Sequence, residues 1–315
     1  MKQFLKTLLT GICMGAVSVI PAISGGTMAL ITGVFDPLVN AMRRVASRKT
    51  WTLLFCGRFR AFATAAPWGF LLALVGGILL GTAATAKIVL RLLDHNPTAT
   101  YAFFLGLVIA SLLPLALRVQ HWNTRGVVCL FAGALAGLYV VTRGRVATPD
   151  DWWMLLATGA VSACTMILPG ISGSFVLMLL GKFDTMWVAF DRLVSGRADL
   201  DDALAIAWIT LGGIIGLALF SHLLFYLLKH RHDTTLSFLT GLMSVSLWTL
   251  WPWQIKVEKF VNEYTGIERV KNIWPWQADT PATPRDYAIV AAVFALGAFC
   301  VWLVERFAGK GKNVG

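Results

Sequence analysis

Charge is scarce in this chain: 14% of its 315 residues are charged, against 57% hydrophobic. That balance excludes a soluble globular protein, because a core of this length cannot bury so much apolar surface. The five cysteines, Cys13, Cys56, Cys129, Cys164 and Cys300, form no CxxC pair and have no histidine at ligand spacing. They read as buried thiols, and nothing points to a disulfide framework or a structural metal. No H-E-x-x-H, no Ser-Gly-His and no acids paired at chelating spacing occur, so a phosphatase acting on lipid phosphate would lack its nucleophile or its metal. The N-terminal MKQFLKTLLTGICMGAVSVIP has the charge and apolar run of a signal sequence but no cleavage site after it, and is expected to be retained structure.

Long apolar runs recur near 67–86, 99–117, 126–142, 204–228, 234–251 and 286–304. Each has about the 20 residues that cross a bilayer. The net charge of +11 could suit nucleic acid, but the basic residues cluster between the apolar runs. The bilayer, not nucleic acid, is the expected partner.

The chain repeats itself. PAISGGTMALITGVFD (Pro21 to Asp36) returns 148 residues later as PGISGSFVLMLLGKFD (Pro169 to Asp184), with seven of sixteen positions identical. VGGILLG from Val75 parallels LGGIIG from Leu211, and TYAFFLGLVIASL from Thr100 parallels TLSFLTGLMSVSL from Thr235. Each half therefore holds one broken apolar segment, about 4–45 or 151–195, followed by three full runs. If the broken segment is a re-entrant hairpin, each half crosses three times and the two halves are inverted. Placing the N-terminus inside puts Lys2, Lys6, Arg43, Arg44, Arg118, Arg125, Lys229 and Arg231 on the cytoplasmic side. Most acids, Asp94, Asp150, Asp199 and Glu263 among them, then lie outside. The positive-inside bias favours inversion. The expected fold is an all-α polytopic membrane protein of two inverted-topology repeats, 1–145 and 146–315. Each repeat is a re-entrant helical hairpin followed by three transmembrane helices, with both termini cytoplasmic.

Broken backbone at membrane depth leaves N–H and C=O groups unpaired, which costs several kcal/mol each unless protein or a wet cavity satisfies them. Such a break usually lines a site. Pro21 and Pro169 stop one half-helix, and Gly25, Gly26 and Gly173 allow close approach to the backbone of the next. Its free N–H groups, with the hydroxyls of Ser24, Thr27, Ser172 and Ser174, make a donor-rich hollow suited to an anion. The bland alternative is that these small residues only pack helices; the matched duplication favours the site. Lys182, about 12 Å along a continuous half-helix from Ser174, is expected as a cation at the outer mouth, with snorkelling to the interface as its alternative. His222 lies within an apolar run and is either a candidate for proton coupling or a neutral packing histidine. Asp36 and Asp184 are candidate ion pairs, coupling carboxylates or interface residues. No cofactor is expected beyond a coupling proton or sodium ion. The loop 252–285, with its repeated WPWQ, is read as interfacial or as a cap on the outer mouth.

At GICMGAVSVIPAISGGTMALITGVFD from Gly11 and ILPGISGSFVLMLLGKFD from Ile167, the sequence resembles the bacterial PopT-type polyprenyl-phosphate (undecaprenyl phosphate) translocase family, formerly a domain of unknown function. The likeness covers nearly the whole chain. Ser18 stands where the family has Asp, Ala22 replaces Gly, and Phe-Asp replaces Tyr-Glu at 35–36 and 183–184. The resemblance implies a plasma-membrane flippase that returns undecaprenyl phosphate from the outer to the cytoplasmic leaflet for peptidoglycan and other cell-envelope glycan synthesis. A transporter or channel for a small soluble anion would use the same half-helix chemistry.

Overall fold

The computed structural model describes residues 2–18, 25–142, 146, 148–259, 268–277 and 282–309. The first broken segment is α1 (Lys2–Ser18), α2 (Gly25–Ile31) and α3 (Phe35–Val45); the second is α9 (Trp152–Ile167), α10 (Gly173–Leu179) and α11 (Phe183–Val194). Between them run α4 (Arg48–Phe55), α5 (Phe59–Ala65), α6 (Trp68–His95), α7 (Pro97–Leu117) and α8 (Thr124–Thr142). After α11 come α12 (Leu200–His230), α13 (His232–Ser244), α14 (Ser246–Thr249) and α15 (Pro284–Gly309). Among the described residues, α6, α7, α8, α12 and α15 are long and apolar enough to cross a membrane. The protein is a helical polytopic membrane protein.

Several local signals explain the boundaries. Pro97 opens α7 at a position whose N–H has no helical partner anyway. Asp199 caps α12 reciprocally with Asp202: the Asp202 N–H donates to the Asp199 carboxylate at 2.8 Å, and the Asp199 N–H donates back at 3.3 Å. Leu72, Leu79 and Ile88 on α6, and Ile214, Leu219 and Leu223 on α12, are exposed. Surface of this kind is stable only against lipid.

The duplication reappears in backbone detail. α2 and α10 are each seven residues long and start 148 positions apart. Gly33 and Gly181 end them with φ of 71° and 70°. The Val34 N–H donates to the Ala29 carbonyl and the Lys182 N–H to the Leu177 carbonyl, both at 2.9 Å. Long helices then pair along glycines. α1 packs on α6, where a Cβ at Gly15 would collide with the Ile78 carbonyl, and α9 packs on α12, where one at Gly212 would meet the Leu156 carbonyl. The remaining pairs cross between the halves: α7 packs on α15 through Gly106 and Gly297, and α8 on α13 through Gly133 and Gly241.

The core gathers where these pairs meet, around Met28, Ala29, Phe35, Phe104, Val108, Leu236, Leu239 and Met243. α13 is its centre. Thr235, Ser237 and Thr240 on that helix are buried, and each donates its hydroxyl to the carbonyl four residues back, so burial leaves none of them unsatisfied.

Three expectations are corrected. The five cysteines are not buried thiols: Cys56 is exposed, and Cys13, Cys129, Cys164 and Cys300 are half-buried. The run 234–251 is not one helix: Val245 interrupts it in a turn, leaving α13 and the single turn α14. The run 67–86 extends through Lys87 and Arg91 to His95, because long cationic side chains can lie along a helix and reach the interface. The all-α architecture carries one small addition: the loop after α14 holds an antiparallel hairpin, β1 (Gln254–Lys259) with β2 (Glu268–Asn272). The WPWQ repeats explain that hairpin. Trp251 donates its indole N–H to the Ile273 carbonyl at 2.8 Å and meets Trp274 edge-on at 5.7 Å, while Trp274 stacks on Trp276 at 5.1 Å.

Candidate functional site

The second break is the better defined. Pro169 disfavours helix at the residue before it, and Leu168 is accordingly extended at φ −70°, ψ 131°. Gly170 follows with φ of +93°, its Cα side facing the Leu242 carbonyl and Met243 Cα so closely that an added Cβ would lie 2.7 Å from either. Only glycine meets both demands. Its carbonyl accepts from the Ser246 hydroxyl at 3.3 Å, which ties the break to the turn between α13 and α14.

Ser172 then starts α10 in an extended conformation, without a side-chain cap. Its hydroxyl instead exchanges a 2.7 Å hydrogen bond with the exposed Ser174 hydroxyl. The buried Gly173 carbonyl accepts from Ser162 of α9 at 2.7 Å, and a Cβ at Gly173 would come within 2.7 Å of the Ser162 carbonyl. α10 therefore folds back flat against α9. The start of α10 offers unpaired N–H groups beside two hydroxyls. Because the helix has only two turns, these local donors matter more than any long macrodipole.

In the first break, Pro21 and Ser24 lie outside the described residues. Gly25 and the buried Gly26 open α2, and Thr27 follows in the same first turn. A Cβ at Gly25 would lie 3.2 Å from the Ser18 hydroxyl, so α2 begins beside the end of α1, as α10 begins beside α9. α2 also packs on α9, α7 and α15, and Met28 shares a core cluster with Ile167, the last residue of α9. The structure thus brings the start of α2 into the neighbourhood of the second break.

Lys182 is placed differently from expectation. α10 ends at Leu179, and α11 leaves at 108° to it after the turn at Gly181. Lys182 is the N-cap of α11 and is 1% exposed. Its ammonium donates to the Thr148 carbonyl at 2.7 Å and to the Asp150 carboxylate at 2.5 Å. Two more hydrogen bonds support this tie: the Val146 N–H donates to the Leu179 carbonyl at 2.7 Å and the Thr148 hydroxyl to the Leu180 carbonyl at 2.6 Å. The cation expected at the mouth is thus enclosed and already paired. Asp150 and Ser162 are partners that the sequence did not single out. In the sequence Asp150 is one more acid among those expected outside, and Ser162 carries no signal beyond being small.

His222 is exposed on α12, its Nδ1 2.8 Å from the Ala218 carbonyl. Among the described residues it is not one of the side chains that meet at the second break. Asp36 is exposed in the first turn of α3, and Asp184 is half-buried in the first turn of α11. Both favour their helix termini electrostatically. Among the described residues no group of three or more His, Cys, Asp or Glu could hold a metal.

Comparison with known proteins gives a consistent result. A family described as VCA0040-like, undecaprenyl phosphate translocase-like, matches residues 14–267. A polyprenyl-phosphate transporter of Vibrio cholerae serotype O1 is 34% identical over 316 residues, covering 98% of each chain. A polyprenyl-phosphate transporter of Staphylococcus aureus is 27% identical over 259 residues, covering 78% of this chain and 85% of its own. No solved structure matches.

Proposed function

The chain belongs to the undecaprenyl phosphate translocase-like family, and on that premise we propose that it is a non-enzymatic transporter of polyprenyl phosphate. In this reading it returns the carrier lipid from the outer to the cytoplasmic leaflet of the bacterial plasma membrane for cell-envelope glycan synthesis. The observation that carries it is the duplicated break, conserved within this one chain down to equal seven-residue helices and equal glycine turns 148 residues apart.

The phosphate is held at the breaks by the hydroxyls of Ser172 and Ser174 and the free N–H groups around Gly173, with Ser24, Gly25, Gly26 and Thr27 as the matching half. Two inverted repeats, 1–145 and 146–315, place one hairpin on each side of the membrane and both termini in the cytoplasm. Lys182, tied to Asp150, holds the outer wall of the site. The isoprenoid tail stays in lipid, so only the headgroup requires polar partners.

The test is translocation of labelled undecaprenyl phosphate between the leaflets of liposomes with and without the purified protein, with proton and sodium gradients imposed in turn. Acceleration that inorganic phosphate does not compete away supports the lipid reading. No acceleration under any gradient, together with uptake of a small soluble anion, overturns it.

A further inference from the structure

A cavity of about 580 Å³ opens far from the breaks in sequence, between the N-terminal end of α8, the C-terminal end of α12 and the start of α13. Its wall is apolar: Val128, Cys129, Leu227 and Phe238 line it. Its rim carries two exposed arginines, Arg125 from α8 and Arg231 at the end of α12. Among the described residues neither guanidinium makes an ion pair. The nearest carboxylate in sequence, Asp233, is committed elsewhere. Its oxygens accept from the Gln120 and His121 N–H groups at 3.1 and 3.0 Å, with the His232 ring 3.3 Å away.

We infer that this groove is a second berth for the carrier lipid, with its phosphate held between Arg125 and Arg231 and its first isoprene units lying along Val128, Leu227 and Phe238. The inference rests on the reading above that the substrate is a polyprenyl phosphate. Charge selects the occupant. A phosphate monoester carries about −1.5 to −2 near neutral pH, which two guanidiniums match, whereas a phospholipid diester with a single charge leaves one cation unanswered. Arginine's planar fork also suits phosphate oxygens better than a point charge does.

Placement supports the same conclusion. Thr235 lines the groove, and Leu242, whose carbonyl faces Gly170 of the second break, lies seven residues further along α13, about 10 Å by helical rise. The buried central helix therefore joins the two sites end to end. By the charge pattern of the loops, the groove lies at the cytoplasmic end, where a carrier returned from outside would be handed to the inner leaflet.

Cys129 supplies a native probe. The full-length protein in nanodiscs of neutral lipid is treated with N-ethylmaleimide while undecaprenyl phosphate or phosphatidylglycerol is titrated in. Modification of Cys129 is followed by peptide mass analysis, with the exposed Cys56 as internal reference, and lipid binding is measured separately by native mass spectrometry. Undecaprenyl phosphate is expected to slow Cys129 modification by about tenfold. Arg125→Gln with Arg231→Gln should abolish that protection, and Arg125→Lys with Arg231→Lys should keep part of it. Binding of the lipid without protection of Cys129, or protection that survives both glutamine substitutions, overturns the groove and leaves the proposed function standing. Equal or stronger protection by phosphatidylglycerol overturns the assignment to the carrier. Failure of the parent protein to bind undecaprenyl phosphate at all overturns the proposed function and this inference with it.

Discussion

The Lys182–Asp150 pair yields an asymmetric prediction. The lysine side chain is 2% exposed and the aspartate 72%. Intuition would call the buried partner the costly one to lose, but the energetics run the other way. Lys182→Met removes the charge from the enclosed position, fills the stem volume with a similar thioether, and releases Asp150 into water; the loss is about 1 kcal/mol, typical of a pair with one solvated member. Asp150→Ala strands an enclosed ammonium whose remaining partner is the Thr148 carbonyl. Breaking a fully buried pair from one side costs about 3–5 kcal/mol. With the site open on the Asp150 side, about 2–3 kcal/mol is expected here. At roughly 2 °C per kcal/mol for a chain of this size, Asp150→Ala should lower Tm by about 4–6 °C and Lys182→Met by about 2 °C. Intrinsic fluorescence from the 13 tryptophans can follow both in detergent. Equal shifts, or the reverse order, would refute the tie. So would loss of undecaprenyl phosphate binding in a Lys182→Met protein of unchanged Tm, since the ammonium would then be serving the ligand.

Ser172→Ala with Ser174→Ala removes the paired hydroxyls at the start of α10 and should weaken undecaprenyl phosphate binding by about tenfold, at about 1 kcal/mol or less per lost hydrogen bond, with Tm nearly unchanged; a binding isotherm beside a melting curve checks both. His222→Phe should leave transport and its pH dependence as they are, because the exposed ring meets only its own helix at the Ala218 carbonyl among the hydrogen bonds of the described residues; a flattened pH profile in the liposome assay would restore the coupling role. Asp233 is held below the ordinary carboxylate range, chiefly by the Gln120 N–H and further by His232 and the His121 N–H. A lowered folded-state value means that the latch between the α7–α8 loop and α13 is complete at neutral pH and is lost as pH falls through that value. Protection from hydrogen exchange at Gln120 and His121, taken relative to the intrinsic rate at each pH, should fall in acid in the parent, while Asp233→Asn should be weakly protected at every pH.

Much of this was legible because periodicity and punctuation are local. The apolar runs marked α6, α7, α8, α12 and α15, and the Pro-Gly-Ser cluster from Pro169 marked the second break between α9 and α10. What the sequence could not show lay in tertiary pairing. Lys182 reads as a cation at the outer mouth only if the ascending helix is continuous. Gly181, at positive φ, turns the chain and delivers the lysine to residues 148–150. Arg125 and Arg231 looked like two more cytoplasmic loop charges, and they face one groove only because α8 packs on α13. Val245 carries no breaking signal of its own; the turn there fits the Gly170 and Ser246 contact made by a segment 76 residues away.

The same pairing constrains how the molecule can move. Glycine seams join α1 to α6 and α9 to α12 within each half, but α7 to α15 and α8 to α13 across the halves. A rigid rotation of residues 1–145 against 146–315 would have to shear both crossing seams, where backbone meets backbone with no side chain between to give way. Packed seams of this kind are bistable rather than continuously compliant. The two broken segments, with α6 and α12, pack against the exchanged four-helix core of α7, α8, α13 and α15. The second break meets that core at Gly170 against Leu242 and Met243, and the arginine groove lies on the same helix about 10 Å away. The close approach of Gly170 to Leu242 and Met243 therefore links the second break to the central helix that the arginine groove also lines.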